Sequence, residues 1–364
     1  MNNSIRLPYL TEKHQFHLLL IWIAYILVCI QNFISWHFNE FDQALRYIIA
    51  ICLIASLDLS KFDKFKIFLL VFLLVALILR RLLIVWTLLC LVYQIDCFKI
   101  PLRNLTLVAL ILVTLELFFQ TEGVLLGVLE NKAVKYVKSD SFTYDLGTGN
   151  ANRCAGLFFK PIILLYLAIS RNHRCLFIII SISLALVSYQ TTGSRTPFIC
   201  TLLIIGLSIL YWKQLIPESS KFFIAVLPII FFILTFYLAL NLNANKDINE
   251  VASGRLWYIL KLTQEFTLKD WIIGAPRTTD DPLDSAYLEI IHTGGILLSL
   301  FFTIAFAKTT ITKFTNIKSF IPIIIPMLIG GLTESILLRP TEISVIFWIV
   351  MLSSLIKYKP ILIR

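Results

Sequence analysis

Long apolar runs, broken by short polar and basic punctuation, dominate the chain. Each run of 14–23 residues is too long for a buried strand. Most reach the length of roughly 17–25 residues needed to cross a bilayer as a helix. Read this way, the pattern predicts spans at about 16–34, 44–59, 66–79, 82–95, 104–120, 152–170, 175–190, 196–212, 221–241, 285–307, 319–338 and 340–356. The third and fourth are short and divided by Arg80-Arg81. An arginine pair at mid-bilayer would cost about 2.5–3.5 kcal/mol per residue even on the lenient insertion scale, so a turn at the membrane surface is expected there. The expected fold class is an all-α polytopic integral membrane protein of about 12 transmembrane helices. The expected organisation is a single integral membrane domain over residues 1–364.

Composition agrees. Of 364 residues, 58% are hydrophobic and 15% charged, and mean hydropathy is +0.85. A soluble domain is about 45–50% apolar and 25% charged, which excludes an ordinary globular protein. The first apolar run has no small-residue cleavage site after it and reads as a retained span. The seven cysteines contain no CxxC pair. Most lie in apolar runs and read as small hydrophobes, with no disulfide framework or metal site.

The net charge of +10 is divided between two faces. Alternate connections carry Lys13, Lys61, Lys64, Lys99, Arg103, Arg171, Arg174, Lys213, Lys221, Lys308, Lys313, Lys318 and Lys357, with almost no acidic counterweight. The positive-inside rule makes this face cytoplasmic, with both termini on it, and removes the need for a nucleic-acid partner. The opposite face holds the two long connections, about 121–151 and 242–284, the second lying between helices 9 and 10. Within the second, Leu256 to Phe266 has the spacing of a surface helix, with Ser253 suited to cap it.

That opposite face is rich in arginine where orientation alone would leave few. Arg46, Arg80, Arg81, Arg153, Arg195, Arg255, Arg277 and Arg339 all map to span ends or loops there. The guanidinium is a rigid fork of donors matched to phosphate oxygens, whereas an ammonium is a point charge. Snorkelling from a span end explains any one of these arginines; the set points to an anion at the membrane surface. Three of them sit beside Gly and Ser, Thr or Asn at helix entries: Asn152-Arg153-Cys154-Ala155-Gly156, Thr192-Gly193-Ser194-Arg195 and Ser253-Gly254-Arg255. Helix N-termini offer unpaired N–H groups and a partial positive charge to such an anion.

Acidic residues share the face. Asp284 stands at the mouth of the tenth span, where it suits either a general base or the N-cap, with Ser285 as the alternative cap. Asp280, Asp281 and Asp284 suit a divalent ion or a solvated turn. Tyr287 fits an aromatic belt at the membrane surface. Glu289 and His292 share one helical face and either support the chemistry or satisfy each other. Glu334 and Glu342 flank Arg339 and are placed to pair with it. No phosphate-binding P-loop, HExxH or GxSxG motif is present in the sequence.

In this order and spacing, four segments resemble the bacterial O-antigen polymerase and O-antigen ligase superfamily. They are Arg153 to Pro161, Thr192 to Arg195, Ser253 to Trp257, and Asp284 to Glu289 followed by Gly294-Gly295-Ile296. The resemblance covers about residues 80–345. Where the ligase branch places His-Asn or His-Ser, this chain has Asp284-Ser285, which favours a polymerase. The resemblance implies the joining of undecaprenyl-diphosphate-linked oligosaccharides at the periplasmic face of the bacterial inner membrane. It needs no nucleotide sugar, cofactor or metal. Arg195 and Arg255 would bind the donor diphosphate, assisted by Arg80, Arg81, Arg153, Arg277 and Arg339, with Asp284 as base and Tyr287, Glu289 and His292 in support. The implied partners are the lipid-linked oligosaccharides, membrane lipid, a chain-length regulator and a flippase. The alternatives are a ligase that transfers glycan to lipid A core, and a flippase for the same lipid-linked units. A flippase usually shows repeated halves, and no repeat is visible in this chain.

Overall fold

The computed structural model describes residues 12–57, 83–131, 133–135, 142–148, 150–170, 172–242, 247, 249, 255–275, 285–334, 336–337 and 341–353. Over these residues the chain is helical apart from one small ribbon. Helices α1 (Glu12–His37), α2 (Asn39–Ala55), α3 (Leu83–Cys97) and α4 (Leu102–Leu125) come first. Strands β1 (Ala133–Lys135) and β2 (Phe142–Tyr144) follow, antiparallel, with Ala133 opposite Tyr144. Then come α5 (Ala151–Ile169), α6 (Arg174–Thr192), α7 (Arg195–Trp212) and α8 (Ser220–Leu240). Two short helices, α9 (Arg255–Gln264) and α10 (Leu268–Ile273), precede α11 (Ala286–Thr312). The chain closes with α12 (Phe314–Ile317), a 3-10 turn, α13 (Ile321–Gly330) and α14 (Glu342–Met351).

Among the described residues, seven helices are long and apolar enough to cross a membrane: His14–Gln31 within α1, then α4, α5, α6, α7, α8 and α11. They coincide with seven of the expected spans. The expected span 44–59 is α2, shifted toward the N-terminus and 17 residues long. The expected spans 82–95 and 340–356 are the shorter apolar helices α3 and α14, and the helical part of 319–338 ends at Gly330. The span expected at 66–79 and the Arg80-Arg81 turn lie outside the described residues. The ribbon β1–β2 departs from a purely helical expectation. It occupies the 121–151 connection, which carries no apolar helical period.

Local chemistry sets the helix ends. The Asn150 side chain accepts from the Asn152 N–H at 2.7 Å and starts α5. Gly193 takes φ +64°, a left-handed conformation that closes α6, and α7 begins two residues later. Thr341 and Ser344 form a capping box at α14. The helix expected at Leu256–Phe266 is α9, and α10 is an addition capped by Thr267 and Asp270.

Polar contacts between helices fix their directions. The Tyr25 hydroxyl donates to the Leu105 carbonyl at 3.0 Å, and His37 meets Gln120 at 3.0 Å, so α1 and α4 run parallel. The Tyr166 hydroxyl donates to Ser319 O at 2.6 Å, and Thr309 Oγ1 to Met351 O at 2.5 Å. One end of the bundle therefore gathers the described parts of three connections, residues 126–131 with the β1–β2 ribbon, 255–275 and 331–334. The other collects Lys99, Arg174, Lys213, Lys221, Lys313 and Lys318. Outward faces are apolar: α8 alone exposes Phe222, Phe223, Ile230, Ile233 and Tyr237. An apolar girdle of this kind needs a bilayer as its solvent.

Helix α11 is broken. Gly295 has φ +63° and ψ −160°, inside what is otherwise helix. Along a straight helix, Tyr287 and Phe302 would lie about 22 Å apart. Instead the single Phe232 ring packs on both, with centroids 4.9 Å and 6.3 Å away. The bend brings them together. Helix α10 fits into it: the Ala275 N–H donates to His292 O at 2.8 Å. A Cβ on Gly274 would lie 2.5 Å from Thr293 O, and one on Gly295 would overlap the Ile272 carbonyl. Both positions need glycine for close backbone approach as well as for positive φ.

Candidate functional site

At the loop end, four helix termini converge. Thr196, in the first turn of α7, shares a hydrogen bond of 3.0 Å with Thr333, just past α13. Next to Thr333, Glu334 accepts from Arg255 Nη2 at 2.9 Å, and Arg255 is the first residue of α9. Two residues before Thr333, Gly331 O accepts the Ala286 N–H at 2.8 Å and the Ser285 hydroxyl at 3.3 Å. The turn 330–334 is thus the hub that joins α7, α9 and α11.

This hub brings together three of the four motif segments singled out in the sequence. Arg195 precedes Thr196, so it stands beside the Thr333-Glu334 turn. It is exposed and forms no ion pair among the described residues. Arg255 is mostly buried, its side chain 12% exposed, and it is held by Glu334 at 22%. Arg339, the partner expected for both Glu334 and Glu342, lies outside the described residues, and Glu342 pairs instead with Lys160 at 3.2 Å. The Ser285 side chain accepts from the Leu288 N–H. Ser285, the alternative cap expected there, is therefore the N-cap of α11. No known protein family matches the chain, no curated protein does, and no solved structure does.

Arg153 belongs to the same end, exposed in the first turn of α5. Arg46 pairs with Asp42 at 2.7 Å, one helical turn away, which accounts for its charge locally. Arg80, Arg81, Arg277, Asp280, Asp281, Asp284 and Arg339 lie outside the described residues.

Tyr287 corrects an expectation. It is not an aromatic-belt residue: it is fully buried, and its hydroxyl donates to Leu328 O at 2.8 Å. The bend at Gly295 turns the first limb of α11 inward, carrying Tyr287 against Phe231 and Phe232. Glu289 and His292 lie on the same buried limb, with the His292 ring 5.9 Å from that of Phe266.

A second charged cluster escaped sequence reasoning. Lys160 Nζ lies 3.2 Å from Glu342 and 3.6 Å from Glu116, with all three side chains less than one-tenth exposed. They join α5, α14 and α4. Glu116 is nine residues before the end of α4 and Lys160 nine residues after the start of α5. In these neighbouring helices both charges sit about 14 Å along the axis from the loop end. An ionisable residue in the middle of an apolar span is the signal that could have found them.

Proposed function

We propose that the protein is a polysaccharide polymerase that joins undecaprenyl-diphosphate-linked oligosaccharide units at the periplasmic face of the bacterial inner membrane. The observation that carries the reading is the convergence of Arg195 and Arg255 on the 330–334 turn, beside the start of α11. In this reading the loop end is periplasmic and the lysine-rich end cytoplasmic. The chain then has about 12 spans, its long periplasmic loop, about 242–284, lies between the ninth and tenth spans, and both termini are cytoplasmic.

The chemistry is a glycosyl transfer. A hydroxyl of the incoming lipid-linked unit attacks the anomeric carbon of the growing glycan. The bond from that carbon to the diphosphate oxygen breaks, and undecaprenyl diphosphate leaves with the bonding electrons. Negative charge develops on the leaving oxygen, where fixed cationic donors in a partly desolvated site act most strongly. Arg195 and Arg255 supply those donors, with Arg80, Arg81, Arg153, Arg277 and Arg339 available to either lipid diphosphate. Asp284 takes the proton of the attacking hydroxyl; it directly precedes Ser285, which is anchored to the same turn.

The test is complementation of a polymerase-null strain with single variants, scored by the surface polysaccharide ladder. Arg195→Ala and Arg255→Ala, at wild-type protein level, are expected to shorten the ladder toward one repeat, as loss of about 10²–10³ in rate would do. Normal polymer length from both variants would remove the diphosphate assignment. Unpolymerised units retained inside the cell would point to a flippase, and absence of any glycan on core would point to a ligase.

A further inference from the structure

The two arginines at the 330–334 turn are held differently. Arg195 is open to its surroundings. Arg255 is closed upon a carboxylate, its Nη2 2.9 Å from Glu334 Oε1. The contact bridges 79 residues and ties the loop helix α9 to the end of α13. Glu334 does not drift freely, because its neighbour Thr333 is bonded to Thr196 and also donates to Gly330 O at 3.4 Å. The carboxylate is therefore presented to Arg255 from a braced turn.

A carboxylate and a phosphoryl group offer a guanidinium the same kind of acceptor, anionic oxygens in a fork-matching arrangement. Both engage it through the same donors. A diphosphate that takes both prongs of the Arg255 fork competes with Glu334 for Nη2. A mostly buried charge pair is not given up without compensation, because the guanidinium loses an anionic partner in a setting that hydrates it poorly. A dianionic diphosphate supplies that compensation, and its own charge repels the displaced carboxylate.

We propose that Glu334 is a positioning residue that occupies Arg255 until a lipid-linked diphosphate arrives, and reclaims it so that the spent diphosphate leaves. The inference rests on the diphosphate reading of Arg255 given above. It adds the ligand exchange that a repeating polymerase needs. Each cycle ends with a diphosphate in the site. Two uncontested arginines would hold that product as tightly as the transition state, which helps binding and not turnover. A resident carboxylate weakens the diphosphate complex and speeds release, the step that often limits such cycles. Because the exchange loosens α9 from α13, diphosphate arrival also frees one attachment of the loop helix.

The test uses the full-length protein in lipid nanodiscs, with inorganic pyrophosphate and undecaprenyl diphosphate as probes. Glu334→Gln is expected to bind undecaprenyl diphosphate about tenfold more tightly, the equivalent of one charged hydrogen bond no longer in competition. Glu334→Asp, with a shorter carboxylate, is expected to fall between Gln and wild type, and it carries the test if the Gln variant does not fold. In a polymerisation assay Glu334→Gln is expected to lower KM and kcat together. A purely structural pair predicts the opposite sign, since loss of the tie would disorder Arg255 and weaken binding. Equal or weaker binding by Glu334→Gln and Glu334→Asp, with Arg255→Ala weakened, would overturn the exchange and leave the diphosphate reading standing. Unchanged binding by Arg255→Ala would overturn both. Tightening for inorganic pyrophosphate alone would assign the site to free phosphate and overturn the proposal for the lipid headgroup.

Discussion

Lys160 and Glu342 face each other at 3.2 Å in the interior of the bundle, one from the middle of α5 and one from the first turn of α14. Glu116 completes the group from α4. An ammonium between two carboxylates, in a layer of apolar side chains, is stable only as a set. The surrounding protein offers little to replace the lost hydration.

That dependence gives the first prediction. Lys160→Met leaves two buried carboxyl groups facing each other and is expected to cost about 3–5 kcal/mol. The loss should appear as reduced membrane yield and a lower thermal midpoint in detergent. The triple variant Lys160→Met, Glu116→Gln, Glu342→Gln removes every charge and should recover most of the loss. If the triple variant is as unstable as the single one, the three charged groups do not depend on one another.

The bend in α11 gives the second. Gly295→Ala places a methyl group into the Ile272 carbonyl at a backbone conformation that disfavours L side chains. The expected cost exceeds about 2 kcal/mol, and it should fall on the α10–α11 junction first. Limited proteolysis near Leu268–Ile273 should become faster in Gly295→Ala, with little change in the α6–α7 hairpin. Wild-type protease resistance in the 268–273 region would show that α10 does not depend on the bend.

Orientation can be read from one thiol. None of the seven cysteines is in a disulfide, and Cys175 alone among them is exposed. It is the second residue of α6, at the lysine-rich end. A membrane-impermeant maleimide should label the wild-type protein in inside-out vesicles and leave right-side-out vesicles unlabelled. Cys175→Ser should abolish the signal. The reverse labelling pattern would invert the proposed orientation and move the Arg195–Arg255 group to the cytoplasm.

Much of the bundle was legible in the sequence because span length and hydropathy are local properties. α5 to α8 lie within a residue or two of the expected boundaries, and the helix of the long loop begins at Arg255, one residue from the expected start at Leu256. The convergence at the 330–334 turn was legible in part: Gly-Ser-Arg and Gly-Arg beside helix entries are visible as motifs. The partner of Arg255 was not, because Glu334 stands 79 residues away and five residues from Arg339, a nearer cation by sequence. The Lys160 cluster was missed for a related reason. Lys160 reads as one position of an arginine-to-proline motif and Glu116 as an isolated acid in an apolar run. Only packing of α4, α5 and α14 brings them to one point. The bend at Gly295 was not legible because the backbone that packs into it, at Ile272, is brought there only by tertiary contact.

The same bend shortens the membrane-crossing path. Beyond Gly295, the limb Ile296–Thr312 contains 17 residues and rises about 25 Å, less than the roughly 30 Å of a typical hydrocarbon core. Lipid around a short limb adjusts by thinning. A bilayer beside this limb is expected to thin by the difference of about 5 Å, on the side where the first limb carries Ser285 and Tyr287.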